Sequence, residues 1–162
     1  MSIEDKKLPI RIREANQEDV AFIFNSWLKS YRQSLFARNI TNTIYFDQHH
    51  KVLENLLKNN KVIIACNEKD PSQLYGYICA GKEDGVFVLH YIYVKHTYRN
   101  LGIGKELLNS FDHDINTAAV YTHHTRTAEK LAAKYNLLFH PYLLFNTKVE
   151  EVKEVKNESK QK

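Results

Sequence analysis

Cysteine is scarce in this chain. Cys66 and Cys79 both sit inside apolar stretches and show no C-x-x-C spacing, so they read as small buried hydrophobes and exclude a disulfide framework. Long hydrophobic runs are missing too: no apolar stretch approaches the ~20 residues that span a bilayer. The start, "MSIEDKKLPIRIRE", has no hydrophobic signal region. Reduced cysteines and no export signal make a cytoplasmic setting the expectation. Charge of one sign is also in short supply. Lys and Arg number 23 against 19 Asp and Glu, a net charge of +4. Part of that excess lies in the tail "KVEEVKEVKNESKQK" (148–162). So small a surplus permits an acidic partner but does not point to nucleic acid. Histidine is plentiful, yet metal-ligand spacing is absent. His49-His50, His123-His124 and Asp112-His113-Asp114 place neighbours on diverging faces and offer no i, i+4 pair, so no metal is expected.

What remains is an ordinary globular balance, 43% hydrophobic and 26% charged over 162 residues, with no internal repeat and no linker. One domain over 10–146 is expected, between a flexible N-terminus (1–9) and a charged, disordered tail (147–162). Ile10 to Arg13 alternates as a half-buried strand does. Asn16 offers a cap for a helix whose apolar residues Val20, Ile23, Phe24, Trp27, Leu28, Tyr31 and Leu35 fall at helical spacing. A polar loop (36–43) precedes a second helix over 45–58, with Val52, Leu53, Leu56 and Leu57 inward. Strands follow at 61–66 and 74–82, parted by turn formers. "VFVLHYIYVK" (86–95) is apolar on both faces and reads as a central strand, with Val86, Val88, His90, Ile92 and Val94 opposite Phe87, Leu89, Tyr91 and Tyr93. The next helix places Ile103, Leu107, Leu108, Phe111 and Ile115 on one stripe. A strand (118–124), a helix (127–135) and a last strand (137–146), with Pro141 marking an edge or bulge, complete the order β-α-α-β-β-β-α-β-α-β. This is a mixed α/β (α+β) single domain.

Between the central strand and its following helix lies "HTYRNLGIGKELL" (96–108). Gly102 and Gly104 let a ligand approach the backbone, the helix start supplies unpaired N–H groups, and Arg99 and Lys105 add positive charge. The combination suits a phosphate or pyrophosphate. The spacing is neither the G-x-x-x-x-G-K-S/T of a nucleoside triphosphate loop nor the G-x-G-x-x-G of a dinucleotide fingerprint.

Arg99-Asn-Leu-Gly102-Ile-Gly104 resembles the Q/R-x-x-G-x-G/A signature of the GNAT superfamily of acyl-CoA N-acyltransferases, and the element order over 10–146 is similar to that fold. The resemblance implies a mixed, mostly antiparallel sheet flanked by helices and transfer of an acetyl or related group from acetyl-CoA to a primary amine. It implies that Arg99, Asn100, Leu101, Gly102, Ile103, Gly104 and Lys105 hold the coenzyme A pyrophosphate. It also implies that the backbone at Tyr93 and Val94 lines the pantetheine, with the Val94 N–H polarising the thioester carbonyl.

An attacking amine must lose a proton. His90, four residues before Val94, is the expected base, since histidine titrates near 6.5. The family often has Glu there, and the arylalkylamine N-acetyltransferases resemble this chain in having His. Many relatives carry N-x-x-A-x-x-x-Y along the last helix, the Tyr reprotonating the thiolate. Here Ala132 occupies the Tyr position and Tyr135 points elsewhere, leaving Tyr98, Tyr121 and Tyr142 as substitutes. Tyr31 and Arg32 are expected on the acceptor side, because the family's first helices wall that site, and His123-His124 ends a strand near the cleft. Acceptors in view are small molecules or peptides carrying an amine; no membrane is implied, and relatives often form homodimers. Two other readings stand beside this one. The missing Tyr suits a non-catalytic acyl-CoA-binding module. The aromatic and basic residues 27–38 suit a nucleic-acid base modifier resembling the phage Mom-type enzymes.

Overall fold

The computed structural model describes residues 8–114 and 117–145. The expectations for the N-terminal residues 1–7, the tail beyond 145 and Ile115 lie outside them. β1 (Ile10–Glu14) leads through Asn16, whose side chain accepts from the Glu18 amide while its own amide donates to Asp19, into α1 (Val20–Arg32). This reciprocal cap holds a short 3-10 turn just ahead of the helix. α2 (Asn42–Asn59) begins three residues earlier than its apolar spacing indicates, because Thr41 caps it by accepting from the Ile44 amide. β2 (Lys61–Asn67), β3 (Leu74–Glu83), β4 (Val86–Val94), α3 (Ile103–Asn109), β5 (Ala119–Tyr121), α4 (Arg126–Lys134) and β6 (Leu137–Phe139) complete the expected order. The last two strands are shorter than expected. β5 ends where its neighbour turns away, and after β6 Pro141 opens a 3-10 turn over Pro141–Phe145. α3 stops at Asn109, leaving Phe111 beyond it, and Leu35 lies past α1 with its side chain exposed.

The six strands form one sheet in sequence order, antiparallel from β1 to β4 and parallel from β4 to β6. β3 and β4 pair along their length except at one point. Cys79 faces Tyr91 and Ala80 faces Leu89, so His90 is an extra residue on β4. A bulge of this kind bends the strand and shifts the phase of its side chains. The strict alternation expected along 86–94 is therefore broken: Phe87, Leu89 and Ile92 pack on one face, Tyr91 and Tyr93 on the other. β5 meets β4 only at Val88 with Val120 and Leu89 with Tyr121. Beyond Leu89 the two strands diverge.

Each sheet face buries its own core. One packs Ile63, Ala65, Ile78, Ala80, Leu89 and Ile92 against Ile103 and Leu107 of α3 and Ala128 of α4. The other packs Ile64, Tyr77, Cys79 and Tyr91 against Ile23, Trp27 and Tyr31 of α1 and Leu53 and Leu56 of α2. Within this second face lies a layer of rings. Trp27 stacks on Tyr91 at 4.5 Å between centroids, and His49 of α2 lies against both Tyr31 and Tyr45. His49 Nε2 meets His123 Nε2 at 3.0 Å. His123 Nδ1 meets the Thr122 hydroxyl at 3.1 Å, and that hydroxyl meets His90 Nδ1 at 3.0 Å. All four side chains are buried. Burial lowers His49 and His90 to about 4. Burial, reinforced by its two histidine neighbours, takes His123 well below its ordinary range.

The cap at the start of α1 rests on an ion pair. Arg13 donates to both carboxylate oxygens of Asp19 at 2.7 and 2.9 Å. Burial alone would raise the Asp19 pKa, but the Arg13 hydrogen bonds and the Asn16 amide outweigh it and hold the carboxylate below its usual range. Asp19→Ala strands Arg13 and uncaps the turn, and is expected to cost about 3 kcal/mol in urea denaturation. Asp47→Ala, on an exposed surface of α2, should stay within about 0.5 kcal/mol.

The histidines set a pH dependence. Each is neutral in the fold and takes up a proton on unfolding near pH ~6.5. A folded pKa below the unfolded one means that their stability contribution is complete above about pH 6.5. It is lost as pH falls from there toward 4, by up to about 1.4 kcal/mol per unit for each histidine. Melting temperature should fall steeply from pH 6.5 to 5 and change little from 6.5 to 7.5; equal slopes in both windows would contradict this.

Candidate active site

Where β5 leaves β4, the far half of β4 keeps a bare edge. The Lys95 amide donates to the Tyr75 carbonyl at 2.8 Å, which fixes the phase of the β3–β4 ladder. Tyr93 and Tyr91 are then the residues bonded to β3, while the N–H and C=O of Ile92 and Val94 point to the side where β5 would run. The Val94 carbonyl there accepts from Arg99 Nε at 3.0 Å. The Val94 N–H is left facing the opening. A cleft of about 500 Å³ occupies it, lined by Tyr91 to Val94 and Arg99, by Ser30, Gln33 and Ser34 from the end of α1, and by Thr125 to Thr127 at the start of α4.

The loop from β4 to α3 continues this exposed backbone. Tyr98 anchors it, its ring 4.4 Å from Tyr75 and its hydroxyl accepting from Gln73 Nε2 at 2.8 Å. Asn100 and Gly102 both take positive φ, 63° and 82°. At Gly102 this left-handed backbone favours glycine. No side chain caps α3, and the first intrahelical bond runs from the Glu106 amide to the Gly102 carbonyl. The amides of Ile103, Gly104 and Lys105 are therefore without helical acceptors. A Cβ on Gly104 would meet only Ile92 Cδ1 at 3.8 Å, and one on Gly102 would meet nothing within 4 Å. The protein's own packing leaves open space over both glycines. Arg99, Asn100, Leu101, Gly102 and Lys105 are exposed, whereas the Ile103 side chain anchors the turn in the core.

His90 lies at the bulge and does not itself line the cleft. Its chain neighbours Tyr91 and Ile92 line the opening, while its own ring is buried at 5% exposure and bonded to Thr122. Tyr31 and Arg32, expected on the acceptor side, have structural contacts. Tyr31 is buried against His49 and His123, and burial raises its phenol to about 12. Arg32 binds the carbonyls of Ala37 and Ile40 and the Asn42 side chain, fastening the α1–α2 connection. With Trp27 also in the core, three members of the aromatic and basic stretch that suited a nucleic-acid surface have structural contacts, while Lys29, Phe36 and Arg38 are exposed. His123 is buried and cannot touch a substrate in the cleft; His124 pairs with Glu129 at 2.9 Å.

Ala132 is half-buried on α4, and Tyr135 ends that helix beside Phe87, Leu108 and His113, away from the cleft. Tyr98 is held by Gln73, Tyr121 meets His124 Nδ1 at 3.2 Å, and Tyr142 is exposed; none of the three lines the cleft. The phenols that do are Tyr93 and Tyr91, the latter bonded to the Ser30 hydroxyl, which itself donates to the Ser26 carbonyl at 2.6 Å. Burial raises Tyr91 above its ordinary value, so it is neutral. Sequence reading missed Tyr91 and the α1 serines. Their signal was the spacing of Ser26, Ser30 and Ser34, one face of a helix at intervals of four.

Residues 58–136 match the family model described as acetyltransferase (GNAT) domain. The fold is similar to a GNAT-family acetyltransferase from Staphylococcus aureus, at 25% identity and TM-score 0.44 over 62% of each chain. It is similar to a putative acetyl transferase from Pyrococcus furiosus, at 25% identity and TM-score 0.47 over 90% of each chain. A GNAT-family acetyltransferase from Brucella melitensis, solved in complex with acetyl-CoA, aligns at 19% identity and TM-score 0.44 over 62% of this chain and 64% of that one. No curated protein matches the chain. The family model spans the end of α2 through α4, with the motif and the strand order in place around it, so residues 58–136 read as a GNAT acetyltransferase domain.

Proposed function

We propose that this protein transfers an acetyl or related acyl group from acetyl-CoA to a primary amine. The observation that carries the reading is two sets of unpaired backbone donors flanking one loop, the N–H groups of Ile92 and Val94 on the bare β4 edge and those of the first turn of α3 beside the open glycines. A pyrophosphate matches the far end, where the amides of Ile103 to Lys105 converge with Arg99 and Lys105. An extended amide-bearing arm matches the free strand edge, as an added strand would. Its thioester carbonyl then falls to the Val94 N–H. A fixed donor aimed at the developing oxyanion lowers the barrier by a few kcal/mol. The acceptor amine enters from the side walled by Ser30, Gln33 and Ser34.

His90 takes the amine proton. Its place on β4 next to the cleft-lining Tyr91 supports the role; burial lowers its pKa to about 4, which keeps it neutral at pH 7 and makes it a weaker base than a free imidazole. The Ala132 position favours a second reading, an acyl-CoA-binding module without turnover, because α4 supplies no phenol for the departing thiolate.

Calorimetry with acetyl-CoA and a free-thiol assay over a panel of amines decide between them. Binding with thiol release establishes the transferase; binding alone establishes the module. Gly102→Glu, which forces a side chain onto a left-handed position in the open approach, should abolish acetyl-CoA binding. His90→Ala should lower turnover about 10²-fold or more while leaving acetyl-CoA affinity unchanged. Equal turnover would remove His90 from the chemistry.

A further inference from the structure

The base assigned above does not stand alone. Thr122 extends from the end of β5, where its amide still holds the Leu89 carbonyl at 3.1 Å, and its hydroxyl lies between His90 Nδ1 at 3.0 Å and His123 Nδ1 at 3.1 Å. His123 Nε2 reaches His49 Nε2 on α2 at 3.0 Å. The two inner members, Thr122 and His123, are 1% and 2% exposed, while the ends, His90 and His49, keep 5% and 7%. The groups packed on this chain hold it still without ionising. They are Tyr31 from α1, Tyr45 from α2 and Tyr91 from β4, with Arg32 beyond the Tyr45 ring at 5.1 Å. All three phenols are raised by burial.

With the Thr122 proton held between the two rings, one hydroxyl proton and three neutral rings satisfy these contacts in two ways. In the first, His90 Nδ1–H donates to Thr122, Thr122 donates to His123 Nδ1, and His123 Nε2–H donates to His49 Nε2. In the second, every one of these bonds is reversed. We infer that His90, Thr122, His123 and His49 form a proton relay running from His90, the chain neighbour of the cleft-lining Tyr91, to the α2 side of the protein. This inference rests on the transferase reading.

The protons balance. His90 Nε2 accepts one from the attacking ammonium or amine. His90 Nδ1 passes one to Thr122, Thr122 passes its own to His123 Nδ1, His123 Nε2 passes one to His49 Nε2, and His49 Nδ1 releases one to solvent. The chain is then in its second arrangement, with the proton on His90 Nε2. Resetting it returns a proton outward from His90, and the departing coenzyme A thiolate is the group that needs one. The relay thus supplies both proton steps, which accounts for a domain whose α4 carries Ala132 where many relatives have a tyrosine. His90 is the catalytic residue; Thr122, His123 and His49 act through it.

Thr122→Val keeps the shape of the side chain and breaks the middle of the chain. Its kcat is expected to fall at least tenfold, with acetyl-CoA affinity unchanged, the acidic limb of the pH–rate profile displaced and the solvent deuterium isotope effect altered. Thr122→Ser should restore all of these to within about twofold. His50→Gln, on the exposed neighbour of His49 that pairs with Glu54, should change none of them. A Thr122→Val enzyme with the wild-type rate and pH profile overturns the relay alone. A wild type that binds acetyl-CoA yet releases no thiol overturns the transferase reading and, with it, the relay's use. Nitrogen-15 spectra of the histidine rings give a readout independent of turnover. The relay requires opposite Nδ1 protonation in His90 and His123. Protons on both Nδ1 atoms at once overturn it, because Thr122 then receives two and passes on neither.

Discussion

A strand that loses its neighbour exposes a row of backbone donors and acceptors, and here the loss falls between Leu89 and His90. The one-residue bulge at His90 bends β4 away from β5 and turns the N–H groups of Ile92 and Val94 onto an empty edge. Unpaired backbone is costly unless something satisfies it. The Val94 carbonyl is satisfied internally by Arg99, and the amides are not. The cleft, the free donors and the glycine loop that continues them are consequences of that single parting. They set two groups of donors, on the β4 edge and at the start of α3, on either side of one loop.

A layer of rings, Trp27, Tyr31, Tyr45, His49, Tyr91 and His123, packs where α1 and α2 meet the diverging strands, and its Tyr91 also lines the opening. It brings polar groups into the core: His49 and His123 are partnered through Thr122 and His90, whereas the Trp27 indole N–H is buried without a partner. Burial keeps the histidines neutral, and the hydrogen bonds among them satisfy their ring nitrogens.

The element order was readable because the hydrophobic periods are clean, as in β2, β3 and the face of α1 that buries Ile23, Trp27 and Tyr31. The glycine motif was readable because positive φ and open approach leave a mark in residue type. The bulge was not: "LHYIYV" reads as plain alternation, and the extra residue becomes visible only through its pairing with β3. The histidine chain was invisible for the same reason. His49, His90 and His123 lie on three elements brought together only by the fold, and His123 looked like a strand end near the cleft. Arg32 was expected on the acceptor side because the family's first helices wall that site, and its carbonyl partners across the α1–α2 connection are visible only in the fold.

Amide hydrogen exchange with and without acetyl-CoA tests the central claim most directly. The account predicts that saturating acetyl-CoA slows exchange at Ile92, Val94 and Leu101 to Lys105 and leaves the basic groove of Lys58, Lys61 and Lys82 at the other end of the sheet unchanged. Protection confined to that groove, or no protection along the β4 edge, would contradict it.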